Sequence, residues 1–202
     1  MDYIIRKEAP ADYYGAELMT KKAFWNLHRP GCDEHLLVHK LRRDGSYVSE
    51  LTRVAEKDGK IIGAIYYARA RIESADGQSQ EVLTFGPLCV DPEYQRQGIG
   101  GHLLEETLAD AGALGFDGVV IFGEPDYYPR HGFVTCDNFS ITTPEGENFS
   151  AFMARELCEG GLCGGKFYEP AVYYDLPEKE LEEFERGFPY MEKKVLPNQW
   201  QQ

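Results

Sequence analysis

Gly86-Pro87-Leu88-Cys89-Val90-Asp91-Pro92-Glu93-Tyr94-Gln95-Arg96-Gln97-Gly98-Ile99-Gly100-Gly101-His102 is the stretch from which the fold can be read. Its start completes an apolar run, Val82–Val90, with strand character. Asp91–Gln97 is polar and reads as a loop. From Gly98 to Leu114 the spacing becomes helical: Leu103, Leu104, Thr107, Leu108 and Ala111 share one face, while Glu105, Glu106 and Asp110 face away. Gly115 suits the C-terminal cap. The run Val119–Phe122 then reads as a buried strand. Strand, helix, strand in that order implies a crossover and a parallel pair within one sheet.

Working outward, Tyr3–Lys7 reads as a first strand. Ala11–Phe24 carries Tyr14, Leu18 and Ala23 at near-helical spacing, and His28-Arg29-Pro30-Gly31 ends that helix. Asp33–Arg43 gives a second helix through Leu36, Leu37, Lys40 and Leu41. Leu51–Glu56 and Ile61–Arg71 are strands joined at Asp58-Gly59, a hairpin signal, and Asp76-Gly77 turns the chain into Val82–Val90. Downstream, Phe133–Thr142 and Ala151–Leu157 are expected as closing strands, Gly160–Gly165 as a loop, and Pro177–Phe188 as an acidic helix with Leu181, Phe184 and Phe188 on one face. Helices, then antiparallel strands, then one crossover make an α+β (mixed α/β) fold. Residues 1–174 are expected to form one domain, with 175–202 as an acidic helix and tail packed on it.

The chemistry lies where the strand gives way to the helix. A helix N-terminus exposes unpaired N–H groups carrying about half a unit of positive charge. Glycines there let a pyrophosphate approach the backbone closely. Arg96–Gly101 therefore predicts an anion cradle made mostly of main chain. No Gly-Lys-Ser/Thr follows, which excludes a P-loop. A dinucleotide fingerprint would take Gly98 and Gly100, with Glu124 ending the next strand near the required distance. Its third glycine, however, is Leu103, and Asp91–Gln97 is too long for the tight turn of that fold.

Gln95-x-x-Gly98-x-Gly100, preceded by Leu88-Cys89-Val90-Asp91-Pro92 and followed by Tyr128-x-x-x-Gly132-Phe133, resembles the acetyl-CoA signature of the GNAT superfamily of N-acetyltransferases. The resemblance runs from Val82 to Phe133, with gaps. It implies a mostly antiparallel central sheet with one parallel crossover and a V-shaped splay at the cofactor site. Gly86-Pro87 fits a bulge on the splayed strand, since proline sits in strands mainly at edges or bulges. By the same resemblance, Leu88, Cys89 and Val90 would hold the pantetheine arm of acetyl-CoA, one N–H polarising the thioester carbonyl. Arg96, Gln97, Gly98, Ile99, Gly100 and Gly101 would hold the pyrophosphate, with Gln95 also in the cofactor site. Tyr128 matches the residue whose hydroxyl reaches the CoA sulfur. A phenol of pKa ~10 stays protonated at neutral pH, and the leaving thiolate has a conjugate acid of pKa ~8.5.

An alkylamine acceptor of pKa ~10.4 must lose a proton before it attacks. Some relatives place a glutamate on the strand matching Val119–Phe122. Here that strand is Val-Val-Ile-Phe, so Glu124, just beyond it, is the candidate base, with a water chain as the alternative. Cys89 is expected to pack rather than carry an acyl group. His35 and His39, four apart, with His28 and Cys32 nearby, have zinc-like spacing; no His-Glu-x-x-His occurs and the family needs no metal, so substrate contact or surface exposure is expected. The expected function is acetyl transfer to a small-molecule or peptide amine; a non-catalytic acyl-CoA sensor on the same fold is the alternative.

Composition agrees. A formal net charge of −13 across 202 residues opposes nucleic acid and anionic membrane and mildly favours cationic amines. The N-terminus has no signal-peptide pattern and no stretch has the ~20 apolar residues of a membrane helix, so a cytoplasmic location is expected. Five scattered cysteines are expected as free thiols. Many members of this superfamily dimerise, and a homodimer is an expectation no single residue here decides.

Overall fold

A computed structural model describes residues 2–197 and Gln199. Of the expected C-terminal tail, Asn198, Trp200, Gln201 and Gln202 lie outside the described residues. The strands are β1 (Ile4–Lys7), β2 (Arg53–Lys57), β3 (Lys60–Glu73), β4 (Ser79–Val90), β5 (Gly118–Phe122), β6 (Val134–Thr135), β7 (Ile141–Thr142), β8 (Phe152–Glu156) and β9 (Gly165–Tyr168). The helices are α1 (Tyr13–Phe24), α2 (Glu34–Leu41), α3 (Ile99–Ala113) and α4 (Glu178–Glu185). Among the described residues no helix is long and apolar enough to cross a membrane.

One sheet runs β1-β2-β3-β4-β5-β8-β6, antiparallel except where β4 meets β5. Off this path, β9 pairs antiparallel with β3 and parallel with β7. Ile62, Ile65, Tyr67, Leu83 and Phe85 face α3, whose Leu103, Leu104, Leu108 and Ala111 bury against them as the spacing predicted. The opposite face meets α1 and α2 through Ala64, Tyr66, Ala68, Met19 and Val38. Farther along that second face, Ile72, Val82, Val120, Phe152 and Phe167 form a separate cluster. β8 and β9 are far apart in strand order, yet the rings of Phe152 and Phe167 lie 5.8 Å apart, tilted against each other. The far half of the sheet therefore curls into an enclosure around that cluster.

Several expectations are corrected. α1 buries Ala16, Met19 and Thr20, leaving Tyr14 exposed, because its inward face also carries polar groups: Glu17 bonds Arg42 at 2.5 Å. Phe133–Thr142 is no single strand. Cys136–Phe139 forms a 3-10 turn between β6 and β7, and Ser140 closes it in the left-handed region. The glycine-rich loop ends earlier than read, since Gly165 opens β9. His35 is neither surface nor acceptor lining: it is 0% exposed, with its ring stacked on Phe184 of α4 at 5.5 Å and edge-on to Phe188.

Candidate active site

The bulge expected at Gly86-Pro87 is present. Ile65 stands opposite Leu88 and Tyr67 opposite Phe85, so two residues of β4 answer one of β3; the Gly86–Pro87 peptide is cis. Past it, Leu88, Cys89 and Val90 remain paired with Ile65, Ala64 and Gly63. On the other side, β4 meets β5 in register only at Leu83 and Val119. Beyond that point the two strands part. This is the splay.

The hydrogen-bond direction shows which groups face it. Asp91 N–H donates to the Ile62 carbonyl at 2.9 Å. Main-chain groups alternate along an antiparallel strand, so Asp91 and Cys89 address β3 while Val90 and Leu88 turn toward the gap. The Val90 carbonyl accepts from Gln95 Nε2 at 3.1 Å, which ties the loop back to the strand. Leu88 is left with its amide and carbonyl aimed into the splay.

At the helix start, Gly98 caps α3 with φ +84°, a left-handed conformation suited to glycine. Arg96 adopts φ +60°, where a side chain is uncommon. Gln95, Arg96, Gln97 and Gly98 are exposed, so the cradle is open to an anion. Ile99 sends its side chain into the core beneath α3, so only its main chain is available. Gly100 and Gly101 lie against the next segment: a Cβ on Gly100 would stand 3.3 Å from the Tyr127 hydroxyl, and one on Gly101 would stand 3.1 Å from His131 Cε1. Cys89 is buried 3.4 Å from Thr20 Oγ1, and burial pushes its thiol up to about 12, which disables it as a nucleophile.

Tyr128 opens a short 3-10 turn, Tyr128–His131, closed by Gly132 at φ +77°. That geometry explains the Tyr-x-x-x-Gly-Phe spacing: the turn requires glycine, and Phe133 then enters the core. The Tyr128 ring rests 5.7 Å from Phe85 of β4 and 5.6 Å from Phe133. Burial raises its hydroxyl above the ordinary phenol range, with Tyr127 and Glu124 adding to the shift, so it remains a proton donor at neutral pH. Gly123 was missed by the motif reading. A Cβ there would lie 2.2 Å from the Tyr128 ring, a contact only the fold reveals. Glu124 is exposed at the end of β5, where its charge is felt by His28 from the loop after α1. The fold thus brings Leu88, the helix start and Tyr128 to one end of the β4–β5 splay, with Glu124 on the rim.

Residues 48–135 match the acetyltransferase (GNAT) domain. The chain is 28% identical over 161 residues to the uncharacterized N-acetyltransferase YhbS of Escherichia coli strain K12, spanning 80% of this chain and 91% of that protein. It is 37% identical over 101 residues to the uncharacterized N-acetyltransferase YjhQ of the same strain, spanning 50% of this chain and 55% of YjhQ. Among solved structures it resembles E. coli YhbS in complex with CoA, at TM-score 0.76 and 27% identity over 88% of this chain and 94% of that one. It also resembles a GNAT family acetyltransferase from Brucella melitensis in complex with acetyl-CoA, at TM-score 0.69 and 28% identity over 85% and 97% of the two chains.

Proposed function

Because the chain belongs to the GNAT superfamily, we propose that it moves an acetyl group from acetyl-CoA to a primary amine by direct attack in a ternary complex. The observation that carries this reading is the parting of β4 from β5 beyond Leu83 and Val119, with Leu88 turned into the gap. Two structurally similar proteins were solved with CoA and with acetyl-CoA bound, which supports the same ligand here.

The residues present fit that ligand. The amides at the start of α3 and the open backbone of Arg96–Gly98 suit a pyrophosphate. Leu88 offers an N–H to the thioester carbonyl, stabilising the negative charge that develops there. Tyr128 supplies a proton to the departing thiolate. Glu124, solvated at the rim, draws the cationic acceptor inward. Acetyl-CoA contributes the activated acyl group, and the chain orients it.

Calorimetric titration with acetyl-CoA should show saturable binding, and an amine panel should release CoA in a thiol assay. Binding without release from any amine would favour the sensor reading; no binding would end both.

A further inference from the structure

β9 runs antiparallel to β3, and β3 antiparallel to β4, so β9 points the same way as β4 and β5. β9 therefore runs toward the splay but lies beside the far half of β3: Tyr168 stands opposite Arg71, itself opposite Glu81 near the start of β4, whereas Leu88 at the splay stands opposite Ile65. On β9, Phe167 faces the enclosure, its ring 6.2 Å from Phe122 and 5.8 Å from Phe152. Tyr168 turns outward, with Arg71 4.6 Å over its ring. Glu169 follows directly after the strand ends.

The Glu169 carboxylate accepts from the Tyr174 hydroxyl at 2.5 Å. It also bears on Tyr173, whose own hydroxyl donates to the Gly86 carbonyl at 3.2 Å, inside the bulge next to Leu88. Burial holds Glu169 above the usual carboxylate range, partly opposed by the Tyr174 hydrogen bond, which makes it a stronger base than an exposed carboxylate. Phe122, in ring contact with Phe167, is 42% exposed at the last position of β5, directly before Gly123. It stacks 4.8 Å from Phe152 and 5.9 Å from Phe149, itself 45% exposed. A flat apolar face thus stands in solvent, touched on one side by Phe167, two residues before the half-buried Glu169, and leading on the other through Gly123 to the turn that carries Tyr128.

We infer that this mouth is the acceptor site, that it takes a primary amine borne on a flat apolar body laid against Phe122 and Phe149, and that Glu169 receives the ammonium proton. The inference rests on the transferase reading above. The acceptor's R–NH3+ passes one proton to the Glu169 carboxylate. The freed nitrogen lone pair forms the C–N bond to the acetyl carbon, and the C–S bond breaks. The thiolate takes a proton through Tyr128, whose phenol recovers the second proton lost by nitrogen, and Glu169 returns its proton to solvent. The products are the acetamide, CoA thiol and one released proton.

The test uses the whole protein with phenethylamine, spermidine and glycine amide. Phenethylamine should give kcat/KM at least ~10-fold above the other two, as expected for an apolar pocket, and it should bind measurably by calorimetry to protein saturated with CoA. Phe122→Ala should raise its KM while sparing acetyl-CoA affinity. Glu169→Gln should lower kcat by ~100-fold or more with phenethylamine, and much less with trifluoroethylamine, which is already neutral at pH 7. Equal turnover of spermidine, or a Glu169→Gln loss of the same size for both amines, would overturn the inference while leaving the transferase intact. Acetyl-CoA binding without turnover of any amine would instead sink the transferase reading, and this one with it.

Discussion

Tyr128 was legible in the sequence because its neighbours impose local geometry. Gly132 is needed for the left-handed end of the turn, and Phe133 anchors the turn in the core. Its partner Gly123 was not legible, since nothing in the order of residues says that a ring five positions later will lie on it. Glu169 was hidden for the same reason, being placed only by the pairing of β9 with β3. Tyr128→Phe removes the hydroxyl and keeps the ring's contacts with Phe85 and Phe133. It should lower kcat by ~10²–10³-fold with acetyl-CoA affinity unchanged, as steady-state kinetics paired with calorimetry would show. Gly123→Ala attacks the same tyrosine from beneath. The added methyl must displace the ring, at about 1–3 kcal/mol of stability, and a urea melt alongside kcat should find both reduced. If turnover survived with the melt unchanged, the ring would have another place to go and its position would not matter.

At the scale of elements, α3 was read almost to the residue, because apolar periodicity, a glycine start and a glycine stop agree. α1 was read with the wrong face. Its inner side holds Glu17 and Lys21 in buried polar contacts, so hydrophobicity alone pointed elsewhere. Phe133–Thr142 and β9 failed because two-residue strands and a strand opening on glycine carry no period. The start of α3 makes its own prediction. Gly98 sits at φ +84° with open space around the position of a Cβ, so Gly98→Ala meets no clash and its penalty is purely conformational, about 1–2 kcal/mol. Rotation of the cap would also turn the first amides away from the cradle. Acetyl-CoA affinity should therefore fall together with stability, while Gly115→Ala, also left-handed with open surroundings at the far end of α3, should cost comparable stability and leave affinity alone. Comparing the two by calorimetry and denaturation separates helix strain from ligand contact.

Across the whole molecule, the crossover and the two-sided sheet follow from local patterns, whereas the curl that brings β9 beside β3 depends on pairings between residues nearly a hundred positions apart, such as Arg71 with Tyr168. Long-range closure also governs how the C-terminal segment is held. α4 and the residues after it cover His35, with Phe184 and Phe188 on its ring, Cys32 Sγ 3.5 Å from its Nδ1, and Trp25 donating to the Glu192 carbonyl at 3.0 Å. Burial first, then the nearby charges of Lys21, Lys193 and Arg29, depress His35 to about 3. Folded, it stays neutral down to that pH; unfolded, it takes a proton below about 6.5. Between those values the unfolded chain binds more protons, so stability falls as the pH falls, by up to about 1.4 kcal/mol per unit. Moving from pH 7 to pH 5 should then remove about 2 kcal/mol through this residue. Other groups titrate in the same range, so the measurement is a difference: urea midpoints for the wild type and His35→Leu at both pH values. The variant starts lower, having lost a fitted ring, but its decline on acidification should be smaller by about that 2 kcal/mol. Equal declines would mean that α4 and the residues after it open and let His35 take up its proton in the folded state.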